Sequence, residues 1–186
     1  MLNYRRRLPH VQPDDSQLFL TWRLWGSFVK PREPAVCATP GRAFLEADRV
    51  LDQASQGPTW LKDPRVARLV AEAIRIGEQE RHFYKLAAWV IMSNHVHLLI
   101  SPTKPLPTIT RWLKGSTAYQ ANKLLGRTGR PFWRDESFDH WVRSDQQLAG
   151  IAWYIENNPV KAGLCASPEL WPWSSANGQA KPPAPL

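Results

Sequence analysis

Two β-prone runs, Lys85 to Met92 and His95 to Ile100, are separated only by Ser93-Asn94, and that spacing predicts an antiparallel hairpin. Side chains alternate faces along a strand, so His95 and His97 point one way while Val96, Leu98 and Ile100 point the other. Two imidazoles about 7 Å apart along one strand face can converge on a single divalent metal ion while the apolar set is buried behind them. Two histidines rarely complete a metal site, so the pattern calls for a third ligand elsewhere in the chain.

The remaining pattern is α+β. Gln17 to Leu24 reads as a strand, and residues 26–41 read as loop, with Pro31, Pro34, Pro40 and Gly41. Helical stretches follow at 42–54 and 64–81, the second carrying Val66, Leu69, Val70, Ala73 and Ile74 at helical spacing. Thr108 to Leu125 reads as a helix closed by Gly126 and followed by a basic glycine-rich loop, and Phe138 to Val142 as a short last strand. Ser144 and Gln147 resemble a capping box that opens a helix expected to stop near Pro159. The chain lacks the glycine fingerprint of a dinucleotide fold and contains a tight hairpin, which favours an antiparallel sheet with helices packed on it over a doubly wound parallel one. Its organisation reads as a basic arm (1–16), one catalytic domain (17–176) and a Pro-rich tail (177–186) expected to be disordered.

Composition narrows the class of partner. The 186 residues carry 24 Lys and Arg against 16 Asp and Glu, a formal charge of +8, which favours a polyanion such as nucleic acid. Ten tryptophans among these cations suit stacking of unpaired bases. Cys37 and Cys165 are isolated, make no CxxC motif and fit a reducing cytosol, so a cytoplasmic location is expected. No apolar run reaches the roughly 20 residues of a membrane span, and no signal-peptide core follows the first arginines.

The helix beginning at Asp145 offers a third ligand. Tyr154 and Asn158 are four residues apart and share a helix face, so Asn158 can turn its amide oxygen toward the histidines while Tyr154 sets its phenol beside them. A phenol, of pKa about 10, becomes a useful nucleophile once a cation favours its phenolate. With a phosphodiester on the same metal, attack by Tyr154 would leave a phosphotyrosine. Tyr119, three residues before Asn122 on a basic helix, is the rival nucleophile, whereas Tyr4 and Tyr84 read as packing or surface residues. His140 and Asp139 fit either the active site or a structural pair at a strand end. His10 and His82 are assigned no catalytic role. Glu156, about 200° round the helix from Tyr154, is expected to face solvent. Arg5, Arg6, Arg7, Arg111, Lys114, Lys123, Arg127, Arg130, Arg134 and Arg143 are the candidate phosphate contacts.

Asn94-His95-Val96-His97-Leu98-Leu99, followed by Trp153 to Leu164 (WYIENNPVKAGL), resembles the HUH single-tyrosine transposases of the IS200-like family, and most of all the REP-associated tyrosine transposases. The similarity runs from about Leu8 through Ser175 and includes Phe132-Trp133, Phe138 to Arg143 and Trp171 to Ser175. The resemblance implies a ferredoxin-like α+β fold with the histidines on a central strand, and Mg²⁺ or Mn²⁺ as cofactor. It implies single-stranded, hairpin-bearing DNA as substrate, a 5′-phosphotyrosine with a free 3′-hydroxyl as intermediate, and a monomer or homodimer as the working unit. His95 and His97 match the metal pair, Tyr154 the nucleophile and Asn158 the polar ligand. Two positions depart from the pattern: Phe138 stands where close relatives often carry tyrosine, and Trp153 where some carry an acidic residue, so an auxiliary carboxylate is absent there. Histidine-triad hydrolases need a histidine where this chain has Leu99. A hairpin-binding protein that no longer cleaves, and a hydrolase of small phosphoesters, are the competing readings.

Overall fold

The computed structural model describes residues 2–5, 9–12, 17–27, 48–52 and 57–178. Strands β1 (Leu2–Arg5) and β2 (Pro9–Gln12) pair antiparallel, with Leu2 opposite Gln12. The expected N-terminal arm is therefore a two-stranded ribbon at these residues. The domain proper continues with β3 (Leu18–Arg23), α1 (Pro64–Gln79), β4 (Tyr84–Ile91), β5 (His95–Pro102), α2 (Leu106–Leu124), β6 (Phe138–Trp141) and α3 (Asp145–Lys161).

The four-stranded sheet has the order β4-β5-β3-β6 with every neighbour antiparallel. In chain order β3-α1-β4-β5-α2-β6 this is the ferredoxin-like arrangement, and β5 occupies a central position. The expected β4–β5 hairpin is present, with Ile91 opposite Val96. A register shift between Leu86 and Ala88 lets β4 change its pattern midway. Tyr84 and Leu86 face the same core as Trp89 and Ile91, while Ala88 and Val90 face the other.

Two cores result, one on each side of the sheet. Leu18, Leu20, Trp22, Val96, Leu98 and Ile100 pack beneath α1 and α2. Phe19, Ala88, Val90 and Leu99 pack beneath α3 through Ile155. Full burial of each such aliphatic side chain contributes about 1.5–3 kcal/mol, so the faces that alternation assigns to these strands are strongly enforced.

Helix α1 begins where Asp63 caps the Arg65 amide at 2.9 Å and Pro64 supplies the first helical residue. Its buried stripe of Val66, Val70, Ala73, Ile74 and Gly77 follows helical spacing. At Gly77 the helix backbone lies against the Tyr84 ring, whose hydroxyl donates to the Ile74 carbonyl at 2.7 Å. A Cβ at Gly77 would overlap the Tyr84 hydroxyl. Gly77→Ala is therefore expected to destabilise the protein by about 1–3 kcal/mol in denaturant unfolding, despite the better helix propensity of Ala.

Helix α3 corrects two expectations. Ser144 caps the Gln147 amide at 3.2 Å and Gln147 returns a side-chain oxygen to the Arg143 amide at 2.7 Å, so the box forms one residue displaced from the ideal. The helix does not stop at Pro159 but carries it inside and ends at Lys161. Proline forfeits only its own bond toward Ile155, and a left-handed Gly163 (φ 69°) then closes the end. The Leu164 amide donates to the Pro159 carbonyl at 2.9 Å and the Gly163 amide to Val160 at 3.0 Å. Glu156 is only partly exposed, not solvent-facing, because its carboxylate accepts from Ser175 Oγ at 2.9 Å where residues 173–175 pair alongside the edge strand β4. Arg6, Arg7, Cys37 and the tail from Gln179 lie outside the described residues, and no described helix is long and apolar enough to cross a membrane.

Candidate active site

His95 and His97 lie on the α3 side of β5 and are both completely buried. Each ring is aimed by a neighbour on its Nδ1. Asn94 donates through Nδ2 to the Leu51 carbonyl at 2.9 Å, which turns its Oδ1 to His95 Nδ1 at 2.6 Å. An oxygen acceptor there fixes the His95 proton on Nδ1 and leaves Nε2 a bare lone pair. Thr21 of β3, directly opposite His97 in the register, places its Oγ1 2.7 Å from His97 Nδ1. Both Nε2 atoms consequently point into one space, 3.0 Å apart.

A carboxylate completes this space. Asp48, in the helical residues 48–52, is fully buried with Oδ2 3.2 Å from His97 Nε2 and Oδ1 3.7 Å from His95 Nε2. Asp48 Oδ1 has no hydrogen-bond partner. Asp52, one turn later, lies 3.5 Å from His95 Nε2. Asn158 joins from α3. Its amide is satisfied on both sides with the nitrogen donating to Asp52 at 2.8 and 3.0 Å and the oxygen 3.0 Å from His97 Nε2. That side of the amide also lies 3.4 Å from Asp48 Oδ2.

The donor set fits a cation. Lone pairs of His95 and Asp48 converge on one point with an acceptor left unpaired, an arrangement only a proton or a metal ion satisfies. Ligand atoms bound at about 2.0–2.2 Å and near right angles lie about 3 Å apart, which is the spacing found between the two Nε2 atoms and from His97 to Asp48. Asp48, His95 and His97 can thus hold a metal ion. Sequence reasoning missed Asp48, although Asp48 and Asp52 stand four apart in a helical stretch and so share a face.

Burial, then contact with His97, holds the His95 imidazole down to about 3, so it is neutral and free to ligate. Burial alone would raise Asp48, but His97, His95 and the Tyr154 hydroxyl bond bring it well below the usual carboxylate range. Burial and the Asp48 charge push Asp52 up to about 7. Below that value Asp52 carries a proton, and above it a second negative charge faces the cation. Mn²⁺ affinity measured by titration calorimetry is therefore expected to rise by up to about tenfold from pH 6 to 8, and Asp52→Asn to flatten that rise. An equal rise in the variant would assign the effect to another group.

Tyr154 is placed as its spacing from Asn158 predicts. Its hydroxyl donates to Asp48 Oδ2, and its ring stands 6.1 Å from His97 and 6.4 Å from Phe19. Burial and the Asp48 carboxylate raise the phenol far above its ordinary value, so it is held protonated. Tyr119 instead is exposed on α2, the helix covering the opposite sheet face, and does not enter the site. Phe138 packs edge-on against Phe19 at 6.4 Å. His140 bonds Gln147 of α3 through Nε2 at 2.9 Å.

Residues 60–158, more than half of the chain, match the family model for IS200-like transposases. The chain belongs to the IS200-like transposase family. Among solved structures, a REP-associated tyrosine transposase bound to a REP hairpin superposes with a TM-score of 0.57 at 18% identity, covering 94% of this chain and 82% of that one. It confirms the fold. A crystal structure of a protein from Deinococcus radiodurans assigned as a transposase aligns at 18% identity over 83% of this chain and 98% of that chain, with a TM-score of 0.43. Comparison with curated protein sequences finds no match.

The basic residues expected to meet phosphate divide into groups. Arg111, Lys114, Arg130 and Arg134 line one cleft of about 360 Å³ between α2 and residues 130–137, on the helix layer opposite the histidines. Lys114 Nζ is engaged there by the carbonyls of Arg134 and Asp135 at 3.1 and 3.0 Å. Arg127 lies flat on Trp60 at 3.5 Å, and Arg143 stands 5.6 Å over Trp141. Lys123 is exposed in the last turn of α2, and Arg5 ends β1.

Proposed function

We propose that this transposase cuts and rejoins single-stranded, hairpin-bearing DNA through a covalent 5′-phosphotyrosine at Tyr154. The supporting observation is one contact: a phenol donates its proton to a carboxylate that itself belongs to a buried His-His-Asp cluster.

His95, His97, Asp48 and Asn158 would hold a divalent ion, Mg²⁺ or Mn²⁺, which would supply Lewis-acid polarisation of a phosphate oxygen and electrostatic support for a phenolate. The chain's own groups do the rest. Tyr154 Oη forms a bond to phosphorus while the P–O3′ bond breaks. The phenol proton, hydrogen-bonded to Asp48 Oδ2 in the resting site, passes to solvent as the phenolate forms, and the departing 3′-oxygen takes a proton from solvent to end as a hydroxyl. Phe19, stacked on His97 at 5.4 Å, and the Leu99 layer beneath it keep water from the rear of the site. Because Tyr154 is held neutral by the carboxylates around it, the nucleophile stays switched off until a cation offsets their charge.

The hairpin reading draws on the relative solved with a REP hairpin and on the cleft of Arg111, Arg130 and Arg134, whose charges suit a phosphate backbone. The test incubates the protein with hairpin-bearing single-stranded oligonucleotides from DNA flanking its gene, with Mn²⁺ or Mg²⁺. A denaturation-resistant protein–DNA adduct that disappears with chelator is expected. Tight hairpin binding with no adduct would instead make the protein a binding module, and turnover of small phosphoesters without DNA attachment would make it a hydrolase.

A further inference from the structure

Immediately before the nucleophile, Trp153 leaves 59% of its surface exposed, an unusual placement for the largest apolar side chain. Lys161, two turns further along α3, lays its Nζ 4.7 Å from the Trp153 ring centroid and 4.5 Å from that of Tyr154. The ammonium is thus held between an exposed indole and the attacking ring, on the outer side of the metal cluster. No hydrogen bond or ion pair fixes it among the described residues, and Asp52 and Asp48 act on it only at longer range.

We propose that Trp153 and Lys161 form a clamp for the unpaired nucleotide beside the scissile phosphate. The indole stacks on its base, and the ammonium pairs with a phosphate oxygen on the side away from the histidines. An open indole face accepts any base, and a cation pre-positioned against aromatic faces loses little freedom when it meets an anion. The geometry also explains why these residues sit on α3 rather than in the Arg111–Arg134 cleft. That cleft lies across the sheet from Tyr154, so its cations are placed for a distant part of the DNA. The clamp deepens the strand-transfer reading and rests on it. A surface staple that merely ties the last turn of α3 to Trp153 is the competing account.

The experiment compares two oligonucleotides, a blunt hairpin and the same hairpin with a single-stranded flank carrying 2-aminopurine next to the cleavage position. Binding is followed by anisotropy and by 2-aminopurine quenching across a salt series, with adduct formation recorded in parallel. Trp153→Ala is expected to weaken binding of the flanked hairpin roughly 10- to 100-fold, abolish the quenching and leave the blunt hairpin unaffected, with Trp153→Phe recovering most of the loss. Lys161→Met is expected to lower the salt slope for the flanked hairpin by about one, and Lys161→Arg to restore it. Equal affinity of Trp153→Ala and the native chain for the flanked hairpin overturns the clamp, even if the variant melts earlier, as a staple predicts. Should the native chain bind but form no adduct, the strand-transfer reading fails, while the flank-dependent loss at Trp153 still decides the clamp.

Discussion

Tyr154→Phe is expected to abolish the covalent protein–DNA adduct, lowering its rate of formation by on the order of 10⁴-fold or more, because no other described hydroxyl of comparable acidity reaches the cluster. The ring itself stays, so its packing against Phe19 and His97 should be retained. What is lost is one donor to Asp48, worth about 1–3 kcal/mol when a buried acceptor is left alone. Mn²⁺ binding should persist in the variant, since none of the candidate ligands is removed. The measurement pairs a denaturing-gel adduct assay with calorimetry. Adduct surviving in Tyr154→Phe would move the nucleophile elsewhere, with Tyr119 first in line despite its place across the sheet.

The second large effect is expected at Asp48, which no motif marks. Asp48→Asn keeps the shape of the side chain but withdraws the negative charge facing both Nε2 atoms. Mn²⁺ affinity should fall at least about 100-fold, since even outer-shell partners of metal ligands cost 10–100-fold when removed. The stabilisation that metal confers on the native protein, about 2.7 kcal/mol at 100 times its dissociation constant, should vanish in melting curves of the variant. Adduct formation should fall with it. If Asp48→Asn retained the full metal-dependent rise in melting temperature, Asp48 would be a structural carboxylate only and the ligand set would reduce to His95, His97 and Asn158.

Comparison of these two residues shows where a sequence is informative. Tyr154 and Asn158 are linked by helical spacing, and the helix that carries them is announced by Ser144 and Gln147. Their joint position against the histidines follows once α3 covers that face of the sheet. Asp48 reaches Tyr154 across 106 residues, and no periodicity connects the two. The Pro159 expectation failed for a related reason. A proline inside a helix loses one hydrogen bond, and burial of Pro159 with Ile155 and Asn158, together with the Gly163 closure, outweighs it.

From the sequence alone came the two-residue period that turns His95 and His97 to one face, an α+β class with an antiparallel sheet, the shared helix face of Tyr154 and Asn158 and the basic character of the chain. Each rests on local spacing or composition, which a linear chain records directly. Tertiary structure decided the rest. It set Asp48 and Asp52 beside the imidazoles, used Thr21 and Asn94 to aim each ring, switched the β4 pattern at its register shift and put the Arg111–Arg134 cleft on the sheet face away from Tyr154. These are contacts between segments far apart in the chain, and they depend on how two cores pack against one sheet rather than on any repeat within a segment.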